Sequence, residues 1–472
     1  MFPVFLLIFL SRLFFLSISP SFYDSVEYLR LFESLSLLDS LKEAHLPIHP
    51  IFIALGWLFN RINLGGVLFT TEVLNSILGL LFLIFFFLFL SQITERKKAL
   101  TLTAILAFIP PFWLSQINVL YEPLLGLFLM ASFYFIFRYQ QTLKLSFLHL
   151  AALFFSLSFL VSLTALPYLI FFGGFAAFFL NKKIFKVAFL FFVYLLPSFL
   201  IYGFILKLKG LPINEGLAFL FLSNNILEKI SQEGWLFFLR GFRNSWLIFS
   251  SFLTFPLSIL TIFLALKQFF SANNQTRAII IFWGICFFLL NSYWHAGMFG
   301  RLSLFLIIPP LILLLKIKSS RFLFLILTFI IFVSFLQIFP YRLKKVPNFQ
   351  EREYFKENYY SNPLMIISNY EEPYLIEYGE ALILNSPKTD LSEYSKRIKE
   401  ALLKGRLVFI TSQAISTPYF QFDGMKYHIL SRRKNHPETQ GEKLIKNCQL
   451  LAVKEWKNFN LKVYRILSCP ED

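Results

Sequence analysis

Asp24 stands three residues ahead of Glu27 in SFYDSVEYLRLFE, between two hydrophobic runs of a chain otherwise rich in phenylalanine. Before Pro340 the sequence holds 11 carboxylates, and five of them (Asp24, Glu27, Glu33, Asp39 and Glu43) fall in this one stretch. Two roles are open to the pair. Asp24-Ser25-Val26-Glu27 has the form of a capping box, in which Asp24 accepts backbone N–H bonds and Glu27 reaches back to the cap. A carboxylate held at a helix start just above a bilayer can also act as general base toward an acceptor hydroxyl. The two roles are compatible.

Other groups capable of chemistry are spread along the chain. His45 and His49 lie in AHLPIHPIF; two histidines four apart can ligate a metal on a helix, but Pro47 and Pro50 interrupt regular helix there. No metal ligand is therefore assigned, a divalent metal stays open, and a bend that turns His49 toward substrate is the expectation. In NVLYEPLLGLF, Tyr121 and Glu122 precede Pro123, which opens the next helix. Glu122 is either a favourable charge at a helix N-terminus or a second acid facing the same cavity. Arg240 and Arg243 in WLFFLRGFRNSW, and His295 with Arg301 in NSYWHAGMFGRLSLF, complete the set. Each arginine reads as an interfacial anchor or as a phosphate ligand.

The elements that must position these groups are set by composition. The chain is 57% hydrophobic with 64 Phe, and its apolar runs repeatedly reach the roughly 20 residues a helix needs to cross a hydrocarbon core. This predicts a polytopic α-helical membrane protein. Its hydrophobic runs give about eleven spans, near 2–19, 64–91, 99–116, 123–137, 146–163, 166–180, 187–206, 245–266, 278–294, 302–315 and 322–339. The first is read as a span rather than a signal peptide, because no basic residue precedes Arg12 and no small-residue cleavage pattern follows. With the N-terminus cytoplasmic, the inner loops hold 13 Lys and Arg against 9 in the outer segments before Pro340, which is the positive-inside bias. The first outer loop, about 20–63, is then expected to carry amphipathic interfacial helices, with Leu29, Phe32 and Leu35 or Leu38 forming the apolar stripe. Arg12 and Glu72 fall inside spans, where they are expected to pair with each other.

The chain changes character after Pro340. Residues 1–340 form the transmembrane domain and 341–472 a small α/β domain, placed outside by the odd number of spans. LMIIS, LVFIT and LKVYRIL read as strands, and LSEYSKRIKEALLKG as an amphipathic helix closed by Gly405. Two of the three cysteines, Cys448 and Cys469, lie in this tail, where an oxidising compartment permits a disulfide. No Gly-rich phosphate loop is present, so no nucleotide is assigned. The formal charge of +17 is mostly loop charge with no compact basic patch, and no nucleic-acid partner is expected.

In order and spacing, YDSVEYL, HPIHPIFIAL, YEPLLGLFLMASFY and GRLSLFLIIPPLILL resemble the C-type (GT-C) superfamily of membrane glycosyltransferases. The branch is the one related to protein O-mannosyltransferases and the lipid A aminoarabinose transferase, and the resemblance covers most of the chain. It implies a first-loop acid that activates an acceptor and an outer cavity that binds a polyprenyl-phosphate sugar. Asp24 is then the base, Glu27, His49 and Glu122 are cavity residues, and Arg301 is a phosphate contact. Two departures stand out. Many relatives have adjacent acids in the first loop, whereas Ser25 follows Asp24 here; relatives often carry an Arg-Pro pair after the fifth span, and SLTALPYL has no Arg. Arg240, Arg243 or Lys207 can supply the missing charge.

The resulting expectation is sugar transfer from a polyprenyl-phosphate donor to a lipid, glycan or protein acceptor at the outer face of the cytoplasmic membrane. Direct attack by the activated acceptor inverts the anomeric centre. The rival from another class is a transporter or flippase of a polar lipid, which predicts related halves or helices interrupted near the midplane. A noncatalytic scaffold is a third reading, and it leaves the acids of the first loop unexplained beyond capping.

Overall fold

The computed structural model describes residues 2–16, 23–45, 48–165, 167–173, 184–212, 231, 234–271, 274–293, 301–343, 347–359, 362–368, 380–383, 391–412, 415, 419–422, 427–430, 448–457 and 461–469. The chain divides into two compact units, one of Met1–Ser17 with Glu27–Arg342, the other of Ile18–Val26 with Leu343–Asp472.

The first unit is helical. Its elements begin with α1 (Phe2–Phe14), α2 (Tyr23–Glu33, whose first residues belong to the second unit), α3 (Leu37–Glu43), α4 (Pro50–Asn60) and α5 (Val67–Leu90). They continue with α6 (Arg96–Phe108), α7 (Pro110–Gln116), α8 (Glu122–Thr142), α9 (Leu145–Val161) and α10 (Ile184–Leu208). Beyond these lie α11 (Trp235–Leu253), α12 (Phe255–Ser271), α13 (Asn274–Tyr293), α14 (Ile308–Leu313) and α15 (Ser320–Leu343). Proline marks several starts, with Pro50, Pro110 and Pro123 in the first turns of α4, α7 and α8, where a missing N–H costs nothing.

The side chains are arranged inside out relative to a water-soluble bundle. On α10, Phe185, Phe189, Phe192, Leu196, Leu200 and Phe204 form an exposed apolar face, while Ser198 and Tyr202 are buried. On α5 the buried set includes Thr70, Thr71, Glu72, Asn75 and Ser76. Apolar outside and polar inside is the pattern that lipid selects. Among the described residues, α5 and Phe185–Leu208 can each cross a membrane by length and composition, and two bent helix pairs raise that number to four if each pair is one span. Shorter apolar helices, α1, α4 and α9 among them, accompany these. The chain is a multi-pass membrane protein.

Three of the expected spans are not continuous α-helices. The run at 99–116 breaks between α6 and α7 with a 71° bend, because Pro110 and Pro111 deny the last turn of α6 its donors. The run at 245–266 breaks at Thr254, which takes φ 65 between α11 and α12. The run at 302–315 is a 3₁₀ segment, Arg301–Ile307, followed by the short α14 and a second 3₁₀ turn, Leu314–Lys316. Part of the run at 166–180 lies outside the described residues.

The α6–α7 break also decides where Arg12 goes. The carbonyl of Ala107 would meet the N–H of residue 111, which is proline. Arg12 takes its place, donating from Nη2 to that carbonyl and from Nε to Gln116 Oε1 at 2.8 Å, with its guanidinium 4.7 Å from the Trp113 ring centroid. Ser334 donates to the neighbouring Phe108 carbonyl. The expected pairing of Arg12 with Glu72 is thus replaced by a cation capping a helix C-terminus, where the macrodipole favours it.

The apolar stripe of the first loop is shorter than expected. Leu29 and Phe32 are buried, but α2 ends at Glu33, so Leu35 and Leu38 fall beyond it and stand exposed. Phe32 packs directly beneath Gly56 of α4, where a β-carbon would come within 2.3 Å of its ring.

The second unit is built on a five-stranded sheet of order β2-β1-β3-β7-β6, with β1 Leu364–Ser368, β2 Glu380–Ile383, β3 Leu407–Thr411, β6 Gln449–Trp456 and β7 Leu461–Ser468. β1 runs parallel to β2 and β3; β7 is antiparallel to β3 and β6. A separate hairpin joins β4 (Tyr419–Phe422) to β5 (Tyr427–Leu430). Helix α16 (Pro347–Tyr359) lays Phe355 on one sheet face with Ile366, Phe409 and Val463. Helix α17 (Leu391–Leu403) covers the other with Ile398 and Ala401 and ends at Gly405, φ 69. Cys448 and Cys469 form a disulfide across the open end of the β6–β7 hairpin.

Candidate active site

Four stretches far apart in sequence meet around the link from α3 to α4. Helix α2 carries Glu27, which is 5% exposed and directs both carboxylate oxygens to His45. Its Oε1 accepts the His45 backbone N–H at 2.8 Å, and its Oε2 lies against the imidazole Nδ1. The expected reach of Glu27 back to its own helix start is replaced by this contact. The next residue, Tyr28, sets its ring edge-on to His49 at 5.9 Å and to Phe52 at 5.0 Å, with His45 tilted toward it at 6.5 Å.

His49 directly precedes Pro50 and α4. Its ring stacks on Tyr121, 3.9 Å between centroids at 18°, and its Nδ1 lies 2.7 Å from the Val161 carbonyl oxygen at the end of α9. A carbonyl can only accept, so Nδ1 carries a proton, and in the neutral form of the ring Nε2 would be the acceptor nitrogen. Tyr121 caps α8, and Glu122 follows it in the first turn, buried at 1% exposure where the helix dipole favours its charge.

The end of α10 closes the group. Tyr202 donates its hydroxyl to the Ile48 carbonyl at 3.0 Å and to that of Phe159 at 3.3 Å. Lys209 donates to the Ala44 carbonyl at 2.5 Å and to that of Lys42. Partial burial lowers the Lys209 ammonium below its usual range, and the nearby charges of Glu27 and Glu43 oppose that shift. Arg30 and Glu43 form an exposed ion pair at 3.7 Å on the rim.

Of the residues singled out in the sequence, Glu27, His49, Tyr121 and Glu122 are gathered here. Asp24 lies in the first turn of α2, and its side chain is outside the described residues. Arg240 and Arg243 are on α11; the first sits 5.6 Å from the Phe237 ring centroid, and the second is exposed with Nη2 3.5 Å from Asn244 Oδ1. Arg301 opens the 3₁₀ segment before α14, its side chain outside the described residues, as is the whole of His295. No group of three His, Cys, Asp or Glu side chains converges among the described residues.

Tyr28, Tyr202 and Lys209 were not expected at the site. Tyr202 shares its run with Tyr194 and Ser198, so its hydroxyl carried no distinguishing signal, and Lys209 had none beyond its place at a span end two residues after Lys207.

No family model matches the sequence, and no curated protein matches it. In three dimensions the chain is similar to ArnT from Cupriavidus metallidurans, solved bound to undecaprenyl phosphate: TM-score 0.56 at 10% identity, covering 98% of this chain and 96% of that one. It is also matched to the oligosaccharyltransferase of Archaeoglobus fulgidus, solved with zinc and sulfate, at TM-score 0.42 and 13% identity over 88% of this chain and 69% of that one. The first likeness shows the fold, which this chain shares with ArnT over nearly the whole of both chains.

Proposed function

We propose that the chain is an integral-membrane glycosyltransferase that moves a sugar from a polyprenyl-phosphate donor to a lipid, glycan or protein acceptor at the outer face of the membrane. The observation that carries this reading is a fold shared almost end to end with a protein solved with undecaprenyl phosphate. The polar cluster where the first loop meets α8, α9 and α10 supports it, since transfer of a carrier-linked sugar needs acceptors and donors placed in advance.

In this reading Asp24 takes the proton of the acceptor hydroxyl as its oxygen attacks the anomeric carbon. The bond from that carbon to the phosphate oxygen breaks, the electron pair leaves with the polyprenyl phosphate, and the centre inverts. Arg240, Arg243 and Arg301 are the cations assigned to the departing phosphate. His49, through Nε2, and Tyr121 hold the sugar. The tail lies outside the membrane, which its Cys448–Cys469 disulfide favours, and the N-terminus lies inside.

The helix breaks after Phe108 and Leu253 also suit a flippase of a polar lipid, and one experiment separates the two. Purified wild type and Asp24→Asn are supplied with synthetic polyprenyl-phosphate sugars and native membrane extract. Transfer by wild type with a loss of at least about a hundredfold in the variant is the expected result. No transfer from any donor overturns the reading in favour of transport, and equal transfer by both removes Asp24 from the chemistry.

A further inference from the structure

Glu27 is a buried acid without a step in this chemistry, and Lys209 a cation without a phosphate. Both act on the same four residues. Glu27 accepts the N–H of His45 and holds its ring, while Lys209 donates to the carbonyls of Lys42 and Ala44. Residues 42–45 are thus gripped by an anion on their N–H side and a cation on their C=O side. The cation also satisfies carbonyls at the C-terminal end of α3, which have no partner within that short helix. From His45 the chain has only Leu46 and Pro47 to cross before Ile48, whose carbonyl Tyr202 holds, and His49, which lies on Tyr121. With so short a connection, the placement of residues 42–45 fixes the reach and direction of His49.

We propose that Glu27 and Lys209 are positioning residues that clamp residues 42–45 from opposite sides and so seat His49 against Tyr121 in the sugar cavity. The clamp rests on the glycosyltransferase reading for what the cavity holds. It also takes Glu27 out of the candidate bases, since a buried carboxylate engaged through both oxygens is poorly placed to take an acceptor proton. Glu27 acts instead through His45, and Lys209 through the backbone.

The test uses the full chain in lipid nanodiscs with carbon-13 at histidine Cε1. The six histidines give few signals, and His49→Gln assigns the one of interest. Stacked on Tyr121, the His49 ring carries a ring-current shift that reports the seat without any turnover. Glu27→Gln and Lys209→Met should each move that signal to a common new position, and Lys209→Arg should restore it. In transfer assays both variants should raise KM about tenfold with kcat within about threefold, and the double variant should be no worse than the worse single one. An unmoved His49 signal in both variants overturns the clamp. So does a Glu27→Gln variant that loses kcat as Asp24→Asn does, which would make Glu27 a base. If Glu27→Gln fails to fold, Lys209→Met decides alone, because Lys209 is only partly buried and methionine keeps most of its length. If wild type transfers nothing, the functional reading fails while the His49 signal still decides the clamp.

Discussion

The His49 imidazole lies flat on the Tyr121 ring, 3.9 Å away at 18°, while its Nδ1 is tied to the Val161 carbonyl 2.7 Å off. Stacking of this kind contributes about 0.5–1.5 kcal/mol beyond area burial. Tyr121→Phe keeps the ring and should leave donor KM within about twofold of wild type, whereas Tyr121→Ala should raise it up to about tenfold. Steady-state transfer kinetics check both, and an effect from Phe as large as that from Ala would show that the hydroxyl, not the stack, matters.

Arg12 stabilises the broken end of α6 by donating to the Ala107 carbonyl. Arg12→Met should lower stability by about 2–3 kcal/mol, the range for a lost charged hydrogen bond with a buried acceptor left over. The orphan exists because residue 111 is proline, so Pro111→Ala, which restores an N–H four residues on, should make Arg12→Met less costly. Thermal unfolding in detergent of the four combinations measures that coupling directly.

Gly79 of α5 lies against Gln116, and a β-carbon there would meet the Gln116 side chain at 2.3 Å. Gly79→Ala must therefore displace Gln116 from Arg12 Nε, at a cost of about 1–3 kcal/mol. Shortening the obstacle tests the cause: Gly79→Ala combined with Gln116→Ala should cost less than the two changes summed, in the same unfolding assay.

The Cys448–Cys469 disulfide gives an outer tail a chemical signature. In intact cells a membrane-impermeant maleimide should label the protein only after reductant is added, and Cys448→Ser together with Cys469→Ser should abolish that labelling, Cys286 being buried. Labelling that requires cell lysis would place the tail inside. The double serine variant should lose about 2–4 kcal/mol of stability in the tail, read as earlier proteolysis of residues beyond 343.

Features carried by local rules were legible in the sequence. Pro123 opens α8 with Glu122 in its first turn, Gly405 closes α17, and LMIIS, LVFIT and LKVYRIL are β1, β3 and β7. The four ordered motifs pointed to the fold that the three-dimensional likeness shows. What escaped depended on partners remote in sequence. Pro110-Pro111 was visible, but hydropathy alone runs through it, and only the fold reveals that the freed carbonyl meets Arg12. Opposite charges suggested Arg12 with Glu72; a carbonyl acceptor has no letter in the sequence. Glu27 looked like a cap because its own helix start is near, yet His45 offers it both a backbone N–H and a ring nitrogen.

The bonds that fasten the first loop reach far along the chain. Tyr202 to Ile48 spans 154 residues and Lys209 to Ala44 spans 165. During synthesis the loop therefore emerges, with its five acids, long before the groups that lock it exist. A nascent chain stopped after α9 already holds His49 against Tyr121 and Val161 and Glu27 against His45, but it lacks both ties from α10, so residues 42–45 and Ile48 are less firmly held than in the finished chain. Completion of α10 should therefore tighten the loop, with limited proteolysis of chains truncated after α9 and of full-length chains, compared within residues 34–45, as the measurement that checks it.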